Sequence, residues 1–247
     1  MAEIVQTALA GGVGTLTLNR PEAYNAITIE LSHALERGVR ELADSANVIV
    51  IRGAGKNFCV GGDFKQMEAL RAEGTEATRE LFVAFHRACD AIAAVPVPVI
   101  AAVHGIACAG GFELALAADI VLVSDSVQLA DIHSNHAMVP GGGSTQRLPR
   151  LVGPQRALAL ILSGDRLSAA DAVNWGIAYR SFPDAEFDAA VGSFASRLAG
   201  KDPAALRRSK RLIRDGLELP LSQGIELELD TVLEHLAVAA EFAKGAV

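Results

Sequence analysis

Three near-continuous apolar runs, separated by helical patterns, constrain this chain most. Residues 48–51 read Val-Ile-Val-Ile, residues 97–103 read Val-Pro-Val-Ile-Ala-Ala-Val, and residues 120–123 read Ile-Val-Leu-Val. With no polar alternation, a strand built from such a run is buried on both faces. Between the runs, Leu31, Leu35, Val39 and Leu42 recur at helical spacing behind Thr28 as a candidate cap, and Leu81, Phe85, Ala88 and Ile92 repeat the pattern. Parallel strands need long crossovers, which helices supply while covering the sheet. The expected class is therefore α/β, with ligands bound beyond the strand ends.

The rest of the pattern divides the chain. Residues 13–19 alternate threonines with Leu16 and Leu18, as in a half-buried strand, and Pro21 ends it. Ser168 and Asp171 form a capping-box pair ahead of Val173 and Trp175, with Gly176 where that helix would stop. Asp202-Pro203 opens a further helix, and Leu221, Ile225, Leu229, Val232, Leu236 and Ala240 form the apolar stripe of another. We expect residues 1–183 to form an α/β core that holds the site, and residues 184–247 a helical region.

Composition narrows the function classes. The chain has 247 residues, 51% of them hydrophobic, enough for a large core. A formal charge of −7 provides no basic footprint for broad nucleic-acid binding or an anionic membrane surface. Cys59, Cys89 and Cys108 show no C-x-x-C spacing, and the N-terminus shows no basic, apolar leader. Reduced thiols in a cytoplasmic protein are expected.

Two glycine turns carry the chemistry: Val60-Gly61-Gly62-Asp63 and Ala109-Gly110-Gly111-Phe112-Glu113. Each lies between an apolar run and a helix start, where backbone N–H groups have no intrahelical acceptor. Two such groups aimed at one oxygen make an oxyanion hole, and Glu113 places a titratable carboxylate beside the second turn. Other motifs are excluded. Gly53-Ala54-Gly55 lacks the third glycine of a dinucleotide fingerprint, and no glycine-lysine pair precedes Ser or Thr as in a P-loop. Gly142-Gly143-Ser144-Thr145-Gln146 has glutamine where a nucleophile elbow needs glycine, so Ser144 is expected to cap the following helix.

The assembled segments resemble the crotonase family, also called the enoyl-CoA hydratase/isomerase family. They are Leu18-Asn19-Arg20-Pro21, Asn57-Phe58-Cys59-Val60-Gly61-Gly62-Asp63-Phe64-Lys65, Val103-His104-Gly105 running to Asp119, and Val139-Pro140-Gly141 running to Gln146-Arg147-Leu148. In order and spacing they span roughly residues 10–180. The resemblance implies a spiral of ββα repeats whose C-terminal helices serve trimer assembly, often as a dimer of trimers. It implies an acyl-CoA thioester as substrate, with coenzyme A part of that substrate and no metal or further cofactor. Gly62 and Gly110 would donate to the thioester oxygen as it becomes an enolate, where losing one donor typically costs about 2.7–4 kcal/mol. The backbone from Ala23 to Ala26 would hold adenine, and Lys65 would approach the CoA phosphates.

Glu113 matches one of two glutamates that family hydratases place around the Cα–Cβ bond. Counted back from Pro140-Gly141, the second position holds His133. Asp131, two residues earlier, would point to another side of an extended segment. Three readings of His133 stand: a second acid/base group, the mark of a different reaction such as decarboxylation or hydrolysis, or a residue filling a site whose chemistry was lost. Asp131, His133 and His136 also have the composition of a metal cluster, without an evident fourth ligand. His104 reads as a structural hydrogen-bonding residue, and His33, His86 and His235 as helix-surface residues. Arg207, Arg208, Lys210, Arg211 and Arg214 read as an exposed helix face. In the family a C-terminal segment rich in Phe, Lys and Arg often completes a neighbour's CoA site, and from the ending over residues 241–247 a weaker contribution of that kind is expected. The expected activity is hydration of a 2-enoyl-CoA by Glu113 and His133. Another reaction of the family (isomerase, decarboxylase or hydrolase), or acyl-CoA binding without turnover, is the alternative.

Overall fold

The computed structural model describes residues 3–245, with side chains described as far as residue 237. Strands β1 (Val5–Ala10) and β2 (Val13–Leu18) form an antiparallel hairpin, followed by α1 (Ile29–Ser45) and β3 (Val48–Gly53). Thr28 caps α1 as expected, its hydroxyl accepting from the Leu31 amide. Then come α2 (Phe64–Glu73), α3 (Thr75–Ala94), β4 (Val99–Val103), β5 (Ile106–Cys108), α4 (Gly110–Ala117), β6 (Ile120–Ser124) and β7 (Gln128–Ala130). The chain continues through α5 (Ser144–Val152), α6 (Pro154–Ser163), β8 (Arg166–Leu167), α7 (Ala169–Asn174), β9 (Arg180–Phe182) and α8 (Phe187–Ala199). It ends in α9 (Pro203–Gly216) and α10 (Leu221–Gly245).

Six strands form one sheet in the order β1-β2-β3-β4-β6-β9, parallel from β2 onward. The short strands β5, β7 and β8 form a second sheet. Successive strands thus go to different sheets: β4 to the first and β5 to the second before α4, then β6 and β7 before α5. This is the ββα spiral.

The apolar runs are buried on both faces, as their lack of alternation requires. Ile49, Ile51, Val99, Ala101, Val121 and Val123 join the main core with α1 and α3. Their neighbours Val48, Val50, Ile100, Ala102 and Leu122 face a second core against Phe187, Val191 and Ala195 of α8. So α8, within the region beyond residue 183, packs on the sheet, whereas α10 packs on α9. The stripe of α10 is exposed over Leu221, Ile225, Leu229, Val232 and Leu236. The side chains of Ala240 and of residues 241–247 lie outside the described set.

One correction concerns the basic run of α9. Lys210 turns inward, its Nζ 2.7 Å from Asp119 Oδ2 and donating to the Val97 carbonyl at 3.0 Å, and Arg214 also bonds Asp119 at 2.7 Å. Oδ2 of Asp119, the oxygen next to Lys210, also accepts from the Val99 amide at 2.8 Å, while Arg214 takes Oδ1. One acid therefore joins α9 to the start of β4. No helix among the described residues is long and apolar enough to cross a membrane.

Candidate active site

The two glycine turns meet. Residue bridges join Ile27 to Gly62 and Cys59 to Ala107, and the Cys108 amide donates to the Cys59 carbonyl at 3.2 Å. Gly61 has φ +100°, and a Cβ there would lie 2.8 Å from the Ala109 Cβ, so both the backbone conformation and the space demand glycine. Ala109 itself has φ 48° and ψ −122°, a conformation costing of order 1–3 kcal/mol in a residue with a Cβ. It is held by its amide, which donates to the Ala130 carbonyl at 3.0 Å. The next amide in the chain is that of Gly110, the first residue of α4. Neither that amide nor Gly62 N–H has a protein acceptor among the described residues. Both glycines line one cavity of about 220 Å³ together with Glu113 and His133.

Glu113 lies in the first turn of α4 and is 2% exposed. Its Oε1 accepts from the amides of Gly142 at 2.7 Å and Ser144 at 3.0 Å. Burial pushes its pKa above the ordinary glutamate value, and these two bonds and nearby His133 only partly oppose that. The other oxygen, Oε2, is 3.9 Å from His133 Nε2. The structure thus brings Gly62, Gly110, Glu113 and His133 to one cavity.

Asp131 requires a correction. Strand β7 ends at Ala130 and the backbone is helical at His133, with φ −57° and ψ −42°, so the argument from an extended segment does not apply. Instead Asp131 folds behind His133, its Oδ1 2.6 Å from Nδ1. Ser144 is the second correction. The residue preceding α5 is Gly143, and Ser144 makes no side-chain cap; its hydroxyl donates to Asp131 Oδ2. Burial would lower the His133 pKa, but the bond to Asp131 and the charges of Asp131 and Glu113 outweigh it and leave it raised. Burial likewise opposes the ionised form of Asp131, and its bonds from His133 and Ser144 reverse this, so its pKa is lowered.

The other candidates lie apart from this network. His136 stacks edge-on against Phe64, 5.9 Å between ring centres, and the Asp131 carboxylate is taken by His133 and Ser144 rather than facing it. His104 Nε2 lies 3.0 Å from the Gly55 carbonyl, the structural contact expected of it. His33, His86 and His235 lie on α1, α3 and α10. Ala23, Ala26 and Lys65 are outside the lining of the cavity, with Lys65 exposed in the first turn of α2 and Ala26 buried. The cavity walls are mostly apolar, including Met67, Leu81, Phe82, Phe85, Ile132 and Met138. Sequence reasoning missed Gly142, whose amide holds Glu113; the run of three glycines, residues 141–143, ahead of α5 was its available signal.

The chain is similar to known proteins in sequence and in fold. Residues 9–247 match the family model described as enoyl-CoA hydratase/isomerase. The mitochondrial enoyl-CoA hydratase domain-containing protein 2 of Bos taurus is 37% identical, the match covering 92% of this chain and 79% of that protein. The crystal structure of enoyl-CoA hydratase from Bacillus anthracis has a TM-score of 0.89 at 30% identity, over 97% of this chain and 96% of that one. A Thermobifida fusca structure assigned as an enoyl-CoA hydratase, in complex with acetoacetyl-CoA, has a TM-score of 0.87 at 30% identity over 95% of both chains.

Proposed function

Because this chain belongs to the enoyl-CoA hydratase/isomerase family, whose crotonase fold it has, we propose that it is a lyase adding water across the double bond of a 2-enoyl-CoA. The observation that carries this reading is the 3.9 Å separation of Glu113 Oε2 and His133 Nε2, on a cavity that also presents the free amides of Gly62 and Gly110. A carboxylate and an imidazole that close can address two adjacent carbons from one face.

In the proposed reaction ionised Glu113 takes a proton from water as its oxygen bonds to Cβ. The π electrons move toward the thioester carbonyl, and the two amides stabilise the resulting enolate oxygen. Protonated His133 then delivers its Nε2 proton to Cα. One water is consumed, and return of the proton from Glu113 to His133 resets the pair. Both new bonds form on the face that carries Glu113 and His133, which makes the addition syn. The steps use side chains and amides alone, with coenzyme A as part of the substrate. For that part, the family resemblance assigns the backbone from Ala23 to Ala26 to adenine and Lys65 to the phosphates; the Thermobifida relative bound to acetoacetyl-CoA supports an acyl-CoA as substrate.

The test is the conjugated thioester absorbance of crotonyl-CoA. It should decay with the enzyme, and Glu113→Gln should abolish the decay. An unchanged rate in that variant overturns the role of Glu113. Saturable acyl-CoA binding with no turnover of enoyl, β-keto or malonyl-type thioesters overturns the enzymatic reading altogether.

A further inference from the structure

We infer that Asp131 and Ser144 are positioning residues that make His133 the acid of this site, with Ser144 fastening both halves of the acid/base pair to one point of the chain. The inference rests on the proposed role of His133.

Asp131 Oδ2 accepts from the Ser144 hydroxyl, which leaves Oδ1 as acceptor toward His133 Nδ1 at 2.6 Å. A carboxylate acceptor there requires the proton on Nδ1, so Nε2 is the nitrogen free to exchange protons with substrate. Nε2 is also the atom that faces Glu113, at 3.9 Å. The amide of the same Ser144 donates to Glu113 Oε1 at 3.0 Å. One residue at the start of α5 therefore holds the base by its backbone and the acid's partner by its side chain.

The same geometry excludes a nucleophilic role for the serine. Ser144 is fully buried and outside the cavity lining, and its hydroxyl donates to Asp131 rather than to the imidazole, so its oxygen is not presented to a substrate. Glu113 alone beside His133 would raise the affinity of the imidazole for a proton, but it would not choose between the two ring nitrogens. Asp131 makes that choice. The charged groups facing His133 are Asp131 on its own segment and Glu113 from α4, while Glu68, Arg71 and His136 line the same cavity.

The experiment combines kcat against pH on crotonyl-CoA with an NMR titration of the His133 side chain in ¹⁵N-labelled protein. Asp131→Asn should lower kcat about 100-fold, the scale of a lost acid/base contribution, with KM within about twofold. Its alkaline limb and the His133 titration midpoint should both move to lower pH. Ser144→Ala should lower kcat about tenfold and move the same limb by less, with the acid limb in place because the backbone bond to Glu113 survives. Ser144→Ala also tests the link should Asp131→Asn fold poorly. A titration midpoint and alkaline limb unmoved in both variants overturn the inference. The two readings separate cleanly: His133→Gln at the wild-type rate overturns His133 as the acid. An inactive His133→Gln beside an unmoved Asp131→Asn profile overturns only the role of Asp131.

Discussion

Glu113 illustrates how a residue needed for chemistry works against stability. Its carboxylate is held in the cavity by two amides, yet burial leaves its folded pKa raised, so the folded protein binds the Glu113 proton more tightly than the unfolded chain does. The ionised form therefore costs stability at neutral pH, and that cost disappears only as pH falls through the raised value. Glu113→Gln keeps a carbonyl oxygen for the Gly142 and Ser144 amides and removes the buried charge. Its Tm should rise, by roughly 2–4 °C for each kcal/mol recovered in a chain of this size, while hydration is lost. A lower Tm, measured by differential scanning calorimetry, would show that the charge contributes to the fold. The pH profile follows from the same directions. Activity needs Glu113 ionised and His133 protonated, and both values are raised, so kcat/KM should rise through a limb above pH 4.5 and fall through a limb above pH 6.5. A profile flat to pH 9 contradicts His133 as acid. At this scale Gly62, Gly110, Glu113 and His133 were legible because each lies in or at a counted distance from a glycine motif. The bonds of Asp131 and Ser144 were not, since they depend on the chain turning helical at His133 and on where α5 enters.

At the level of elements, what was legible depended on burial pattern. Helices α1 and α3 and strands β3, β4 and β6 bury long periodic or continuous apolar sets, and the sequence displays them. Strand β1 escapes detection because only Val5 is buried along it. Strands β5, β7 and β8 are two or three residues long, too short for any period to show. Yet β5 and β7 position the site, β5 leading into the strained turn at Ala109 and β7 ending at the carbonyl that holds it. Long-range ion pairs were equally hidden, and Asp119 is the main case. It lies before β6 and bonds both the first residue of β4 and two cations of α9, at the end of the strands away from the glycine turns. Burial lowers the Lys210 pKa and the charge of Asp119 counteracts it. Asp119→Ala leaves a nearly buried ammonium without its partner, which costs about 3 kcal/mol. The loss should be local: hydrogen exchange in α9 and α10 should accelerate while the amides of β3 and β4 stay protected. Uniform acceleration would mean that α9 is integral to the core.

For the molecule as a whole, the unfinished part is the C-terminal pair of helices. α10 packs on α9 but leaves Leu221, Ile225, Leu229, Leu233 and Leu236 exposed, and Ile213 of α9 and Leu217 just after it add to them. Leucines recurring at helical spacing in water form a continuous apolar surface, which monomeric proteins rarely leave uncovered. We propose that copies of this chain cover it, in the homotrimer or dimer of trimers that the family resemblance implies. A closed ring suits a surface repeated once per subunit, because every copy then buries the same stripe and no sticky end remains. Paired charges in the stripe, Ile225→Asp with Leu229→Asp, point into water in an isolated subunit and are buried unpaired in an assembly. Sedimentation equilibrium should then give a trimer or hexamer mass for the unaltered chain and a monomer mass for the double variant, with circular dichroism retained. A monomer mass for the unaltered chain overturns the assembly, and an unchanged oligomer in the variant places its interface elsewhere. Because Asp119 fixes α9 at the far end of the sheet, separation of the subunits should leave the bonds among Glu113, Ser144, Asp131 and His133 unbroken. The His133 titration midpoint should therefore be the same in monomer and assembly, even where turnover differs.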